Sequence, residues 1–392
     1  MKQTCNHFKV KDIHNFAIAV LKQGGYPEES AKATTYALLE ADKRGIFSHG
    51  LAGGTGLEEA VKGITLFSTV NPQAKSIILP QKYPTLAVID AQGAPGHTVS
   101  WTAVDLVKDL ARKQGIAKVV VNQANHFGAA GVWSSKIAEE GDLIGTVTCT
   151  TGALVKPMGD DPEGLDYTKG AGTEVRTGTN PLAISVPHKD GILTLDMALT
   201  KLAGSYCLKA LKTGEMLTIP EYVADENYHS TLNPKDLIGL RKGRQYLKGS
   251  IFPLGSTHSG YKGDVVLRMI EAEHSVGGGP IEKVQTGSTE PNRRISLAFQ
   301  AQVIDFLYAK EEALTRVRAL MKDYEAKYFG SASRWPGDRA NRAINYTMKE
   351  GIPYSKGQIE MLRRAAAHVG LSFDAMVKME ANKPYPNEIF RK

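Results

Sequence analysis

Cysteine is nearly absent: the chain of 392 residues has three, Cys5, Cys149 and Cys207, with no CxxC pair and no zinc-ligand spacing. Neither a disulfide frame nor a metal site is indicated, and a reducing cytoplasm is the expected compartment. No apolar run approaches the roughly 20 residues that a helix needs to cross a bilayer. The first residues, MKQTCNHFKVKDIHNF, are too polar for a secretory leader, so no membrane partner is expected. Positive charge is not concentrated either. The net charge of +7 is spread along the chain, without a basic stripe interleaved with aromatics. No nucleic-acid partner is expected, whereas an anionic small substrate or a phosphorylated cofactor would suit that charge.

Common enzyme signatures are missing as well. No GxGxxG occurs: the pairs Gly54/Gly56, Gly170/Gly172 and Gly277/Gly279 each lack the third glycine, which disfavours an ordinary Rossmann domain. The stretch GSTHSGYKG, residues 255 to 263, imitates a phosphate loop. Tyr261 nevertheless stands where a second glycine should precede Lys262, and Gly263 replaces the Ser or Thr that would hold Mg²⁺. A phosphate-transferring enzyme built on this loop is the weaker alternative. HExxH and GxSxG are also missing, which removes the best signals of zinc proteolysis and serine hydrolysis.

What is present reads as a loop-rich α/β protein, 42% hydrophobic and 23% charged with 39 glycines. EESAKATTYALLEADKRG predicts a helix that starts at Pro27 and stops at Gly45, and GLEEAVKG a second, short one. SIILP and TLAVIDA read as strands, and HTVSWTAVDLVKDLARKQG as a helix ended by Gly115. IAKVVVN, GAAGVWSSKIAEEG and LIGTVTCTT follow as strand, helix and strand, the pattern of a crossover between parallel strands. Residues 156 to 177 break the rhythm as a loop or inserted excursion. PLAISVP and GILTLDMA resume as strands, and GYKGDVVLRMIEAEHSVGGG opens into a helix. RRISLAFQ alternates as a half-buried strand. EEALTRVRALMKDY places Leu314, Val317, Leu320 and Tyr324 along one helical face, and QIEMLRRAAAHVG forms a late amphipathic helix. Helical ends around a mixed α/β middle predict a discontinuous domain made from both chain ends.

Five segments are not explained by packing: RGIFSHG, NQANHFGAAG, RTGTNPLAISVP, LDMA and PLGSTHSGYKG. In this order, with RWPGDR near residue 335, they resemble the type-2 malate/L-lactate dehydrogenase family of NAD(P)-dependent oxidoreductases. That family includes sulfolactate, ureidoglycolate and diketogulonate-type enzymes. The resemblance runs from about residue 10 to 360. It implies a non-Rossmann, sulfolactate-dehydrogenase-like α/β fold, in agreement with the missing GxGxxG. It also implies NAD or NADP as cofactor, a small anionic 2-oxo or 2-hydroxy acid as substrate, and a homodimer. A cyclic imine or a keto-sugar acid is the alternative substrate. The expected division is a helical domain of residues 1–68 and 310–392, a central substrate and dimer domain of 69–138 and 262–309, and a cofactor domain of 139–261.

Reducing a 2-oxo acid requires a hydride on the carbonyl carbon and a proton on its oxygen. Histidine suits the proton transfer because its ordinary pKa is about 6.5. The resemblance makes His49 the proton donor, with Ser48 beside it, and His126 a substrate or acid–base residue. His126 is the second candidate for the proton. Arg44 has the planar fork that grips a carboxylate, and it equally suits the C-terminal end of a helix as a cation facing the dipole. Asp196 follows an apolar strand. It is either a partner that holds His49 and raises its pKa, or a turn or helix cap. By resemblance the cofactor is held by Thr150, by Gly178, Thr179, Asn180 and Pro181, by Tyr261 and Lys262, and by Pro336, Gly337, Asp338 and Arg339. The excursion at 159–173, the basic stretch 237–250 and Asp264 in GYKGDVV depart from the family pattern next to these segments.

Overall fold

A computed structural model describes residues 4–63, 69–156, 175–219, 222–227, 229–241, 244–255, 260–280, 295–325 and 335–390. The excursion of 159–173 and the centre of the phosphate-loop-like stretch, residues 256–259, lie outside the described residues. Strand β1 (Thr4–Phe8) leads into helices α1 (Val10–Gln23), α2 (Glu28–Lys43) and α3 (Leu57–Lys62). Alternation follows through β2 (Ile77–Ile78), β3 (Leu86–Asp90), α4 (Gly96–Gln114), β4 (Ile116–Ala124), α5 (Ala130–Ala138) and β5 (Leu143–Thr150). A hairpin of β6 (Leu182–His188) and β7 (Gly191–Met197) precedes α6 (Gly204–Thr213). Short pieces come next: β8 (Val223–Ala224), β9 (Ser230–Thr231), α7 (Pro234–Leu237), β10 (Ile238–Arg241), β11 (Arg244–Leu247) and β12 (Ser250–Ile251). Helix α8 (Gly260–Val276), strand β13 (Ile295–Val303) and helix α9 (Lys310–Tyr324) return to the sheet. The chain closes with α10 (Asp338–Glu350), β14 (Ile352–Tyr354), α11 (Lys356–His368), α12 (Phe373–Met376), β15 (Met379–Pro384) and α13 (Asn387–Phe390).

The main sheet has seven strands in the order β2-β3-β4-β13-β5-β6-β7. Strands β3 and β4 are parallel and joined across α4, whose C-terminal stop Gly115 has φ +87 as the helix end requires. The other crossover differs from the expected one. Strands β4 and β5 share a direction, but β13 lies between them, antiparallel to both. A central strand is covered on both faces, so β13 is not half-buried as its alternation predicts: Ser296, Leu297 and Phe299 are all fully buried. The boundary expected at residue 139 falls inside this sheet, since Leu143, Val147, Cys149 and Ala183 share one apolar core with Val119 and Val121.

A second core joins the chain ends: Phe8, Ile13 and Phe16 pack with Tyr354, Leu362 and Phe373. A third is built from Leu154, Val155, Leu199, Cys207, Leu208 and Leu267. Helix α2 is buried on most of its sides because it is shared: Ala37 belongs to the sheet core, and Leu38 and Leu39 to the chain-end core. Strand register then collects the loops. Asp90 pairs with Asn122, Ser296 with Thr150, and Leu182 with both Thr148 and Met197. The segments after β3, β4, β5 and β7 and before β6 and β13 therefore leave one end of the sheet, where α/β proteins collect ligands.

Candidate active site

The loop after α2 is held by packing more than by turn geometry. Gly45 has φ +71, but Gly50, Gly53, Gly54 and Gly56 are not at positive φ. Their missing side chains make room instead. A Cβ on Gly50 would lie 1.8 Å from Asp42 Oδ1, and one on Gly54 2.3 Å from the Ser205 carbonyl. Asp42, fully buried in the last turn of α2, accepts hydrogen bonds from the Leu51 amide at 2.9 Å and the Tyr354 hydroxyl at 2.6 Å. Burial pushes its carboxyl up to about 7. An acidic residue in a last helical turn opposes the helix dipole, which is the sequence signal that could have singled Asp42 out.

His49 rises from this loop between two hydroxyls. Ser48 Oγ lies 2.9 Å from its Nδ1, and Ser205 Oγ, in the first turn of α6, lies 3.0 Å from its Nε2. The His126 ring stacks beside it, with centroids 5.6 Å apart and planes 21° apart. His126 Nε2 is 3.2 Å from Thr55 Oγ1, and its Nδ1 accepts from the Gly128 amide at 3.3 Å. His97, at the start of α4, meets the other side of His126 at 6.3 Å between centroids. Burial pulls His49 down to about 4 and His97 down to about 3. It also pulls His126 well below the usual range, with the neighbouring rings His49 and His97 adding to the effect. The resting cluster is thus three neutral imidazoles. Ser205, Thr55 and His97 escape sequence reasoning because none sits in a motif that asks for a ligand.

Arg44 and Asp196 stand apart from that ring. Arg44 donates from Nη1 to Ser135 Oγ on α5 at 3.1 Å, and its Nε, 3.6 Å from Glu40, is buried with no hydrogen-bond partner among the described residues. Asp196 accepts from the Gly131 amide and lies in the field of Arg44, while burial raises its pKa. A Cβ on Gly131 would come within 2.6 Å of Asp196. The expected pairing of Asp196 with His49 is therefore corrected: hydroxyls hold the ring, and nothing raises its pKa. Asp196 is occupied by the helix entry of α5, whose free amides favour a carboxylate.

Of the expected cofactor segments, residues 178–181 lie at the start of β6 beside Thr151 and α8, whereas Pro336 and Gly337 lie against Ile192–Thr194 of β7. Asn180 adopts φ +32 and is fully buried. Its Oδ1 accepts from the Thr151 amide at 3.0 Å, and its Nδ2 donates to the Leu267 carbonyl and to Glu271, each at 3.1 Å. The side chain of Asn180 is thus spent on packing Gly178–Pro181 against α8. Thr179 N donates to Thr151 Oγ1 at 2.7 Å, and Thr150 Oγ1 accepts from the Ser296 amide at 3.2 Å. Lys262 is exposed in the first turn of α8, and the side chain of Tyr261 lies outside the described residues. Asp264, the departure noted in this turn, is fully buried and paired with Arg268. Pro336 accepts from the Thr194 amide at 3.0 Å, Gly337 has φ +102, Asp338 Oδ2 accepts from the Trp335 amide, and burial lowers the Arg339 pKa. Threonine hydroxyls around a glycine turn suit the ribose and phosphate oxygens of a dinucleotide. One of them, Thr177 Oγ1, is buried without a partner among the described residues. The segments fit such a group.

An α/β sheet with a histidine pair and a hydroxyl-lined, non-Rossmann turn at one end is the framework of an oxidoreductase. The family model of malate/L-lactate dehydrogenases matches residues 8–363, and the chain belongs to that family. It is 29% identical over 369 residues to malate/(S)-sulfolactate dehydrogenase of Methanothermus fervidus, which covers 92% of this chain and 97% of the relative. It is 30% identical over 225 residues to ureidoglycolate dehydrogenase (NAD(+)) of Escherichia coli O157:H7, covering 57% of this chain and 58% of that one. The solved structure of malate dehydrogenase from Pyrococcus horikoshii OT3 superposes with TM-score 0.77 at 24% identity, covering 95% and 99% of the two chains. No described helix is long and apolar enough to cross a membrane.

Proposed function

We propose that this protein transfers a hydride between nicotinamide and a small 2-oxo or 2-hydroxy acid, with His49 as the proton donor. The observation that carries the reading is the stacked His49–His126 pair, 5.6 Å apart, at the end of the sheet that also bears the 177–181 turn. The bound nicotinamide, NAD or NADP, supplies the hydride, and the names of the relatives support both this cofactor class and hydroxy acids as substrates. Threonines 150, 177 and 179 and Lys262 would hold the dinucleotide, and residues 336–339, which begin against β7, are the further cofactor segment that the family resemblance implies. Arg44, held between Ser135 and Glu40, is the cation for the substrate carboxylate, and His126 orients the carbonyl. Because burial leaves the resting His49 neutral, the ring takes up a proton from solvent as the anionic substrate binds and passes it to the developing alkoxide. The protein acts as a cytoplasmic homodimer, and exposed Phe306, Leu307 and Ile116 support a partner surface.

The test is a spectrophotometric screen of NADH and NADPH oxidation against pyruvate, oxaloacetate, sulfopyruvate, diketogulonate and cyclic imines. Turnover of an open-chain 2-oxo acid is expected. Turnover of cyclic imines alone would move the substrate class, and no oxidation of either cofactor with any of them would sink the reading. Light scattering at micromolar concentration should give twice the chain mass.

A further inference from the structure

The two faces of the seven-stranded sheet are covered unequally. Along β3 and β4, Ala87, Ile89, Val119 and Val121 are buried in one core with α4. The alternate residues point the other way, to the side of α8. There Glu273 pairs with Lys118, and a Cβ on Gly277, just past the helix, would come within 3.0 Å of Val120. Beyond the helix this side is open. Leu86 pairs with Lys118, Ile116 stands two residues before it, and Ile77 pairs with Asp90, so register puts all three on the α8 side. Ile77 is 52% exposed and Leu86 47%. An apolar floor of β2, β3 and β4 thus lies bare beside the helix. Helix α8 also has two different sides. On the inner one, His274 sits 2.9 Å from both the Thr148 and the Ser296 hydroxyls, and the Leu267 carbonyl and Glu271 accept from Asn180. On the outer one, Val265, Met269, Ala272 and Val276 recur at spacings of four, three and four and are exposed, Val276 by 91%.

We propose that a second copy of this chain covers this face, laying its α8 ridge on the bare floor, and that the contact holds the cofactor turn of residues 178–181. The inference rests on the homodimer and cofactor readings above. A two-fold axis makes such a contact self-complementary, because each copy offers one ridge and one floor and fills those of the other. The area suits it. Ridge and floor together leave roughly 700 Å² of mainly apolar surface open on one copy, close to the about 800 Å² per partner of a stable interface. A monomer's largest apolar patch is usually about 300–600 Å². Lys118, at the foot of the ridge, is already paired with Glu273 and can be covered without leaving a bare charge. The contact also reaches the site. Helix α8 takes the second copy on its outer side, and on its inner side Glu271 accepts from the Gly178 amide at 3.3 Å and from Asn180. Pairing of two chains therefore steadies the turn, and a lone chain holds the nicotinamide cofactor more weakly.

The experiment compares the parent protein with Met269→Glu on the ridge and Ile77→Lys on the floor. Light scattering at micromolar concentration gives the mass, fluorescence titration the NADH and NADPH affinities, and circular dichroism confirms that each variant is folded. The parent should show twice the chain mass. Each variant should show one chain mass and bind the cofactor about tenfold more weakly. Ile77→Lys is the sharper of the two, because β2 lies two strands away from the strand that α8 reaches, and a weakened cofactor there reports the lost partner. A parent of one chain mass, or folded variants that keep twice the chain mass, would overturn the proposal. Monomeric variants with unchanged cofactor affinity would overturn the link to the turn. A dimeric parent that binds neither cofactor would defeat the oxidoreductase reading instead, while the masses still decide the interface.

Discussion

The loop of residues 44–56 and the turn of residues 177–181 are both short and glycine-bearing, yet they are built in opposite ways. In the first, glycines remove bulk so that Asp42 and helix α6 can close in, and the polar tip, His49, is held by side chains from elsewhere. In the second, the polar side chain turns inward. Asn180 spends its side chain on hydrogen bonds with Thr151, Leu267 and Glu271, and Thr177 and Thr179 are buried around it. The difference teaches that a motif can carry chemistry in its most polar residue or can bury that residue to shape everything around it.

Substitutions separate the two cases, and the largest effect belongs to the tip of the loop. His49→Gln should lower turnover about 10³-fold while NAD(P)H affinity, measured by fluorescence titration, stays within about twofold. A loss of cofactor affinity of the same size would mean that the loop is scaffold as well. Gly50→Ala comes next: its Cβ has no room beside Asp42, so the loop must shift, at about 3 kcal/mol of stability and most of the activity. Denaturant unfolding would expose a tolerant site by an unchanged midpoint. Asn180→Ala should cost about 2 kcal/mol through unpaired buried groups and the strain of φ +32, with kcat less affected than cofactor KM. Equal effects on kcat and stability would erase the distinction drawn here.

The smallest effect is in pH. His49, His97 and His126 are all held below their ordinary pKa by burial. Their contribution to stability is fully present above about 6.5 and is lost as pH falls toward 4. Asp42, pushed up to about 7, acts with the opposite sign: its contribution is present below its unfolded value of about 3.9 and is lost as pH rises to 7. The melting temperature should therefore drop by about 5 °C between pH 7 and 5, and His97→Asn should flatten that slope. A slope unchanged in the variant would show that His97 is not held neutral by the fold.

Elements were legible in the sequence where periodicity and stop signals agree, as in α2, α4 with Gly115, β3 to β7 and α11. Neighbours were not. An alternating strand reports which residues want burial, and RRISLAFQ does not say that it will divide β4 from β5. Leu314, Val317, Leu320 and Tyr324 read as a core face, but Leu320 is 54% exposed and Tyr324 41%, with Met321 the buried residue of α9. A stripe encodes the wish for a partner and not the partner's place. At the site, His49, His126 and Arg44 stood out because their chemistry is unusual in glycine-rich loops. Ser205, Thr55 and His97 reach them only through tertiary contacts, and Asp196 keeps company with Gly131 because α5 begins there.

The position of β13 also orders events in time. Synthesis delivers β4 and β5 long before the strand that bonds to both, and the chain-end core waits for Tyr354, Leu362 and Phe373. Until residues 295–303 emerge, the two earlier strands present open edges to each other and to other nascent chains. Such a topology, rich in pairings between distant residues, folds slowly. A fragment ending at residue 280 should lack protected amides in β4 and β5 by hydrogen exchange, and protection there would show that the sheet can form around a gap. For a cell, the vulnerable moment of this enzyme is its birth, when its central seam is still on the ribosome.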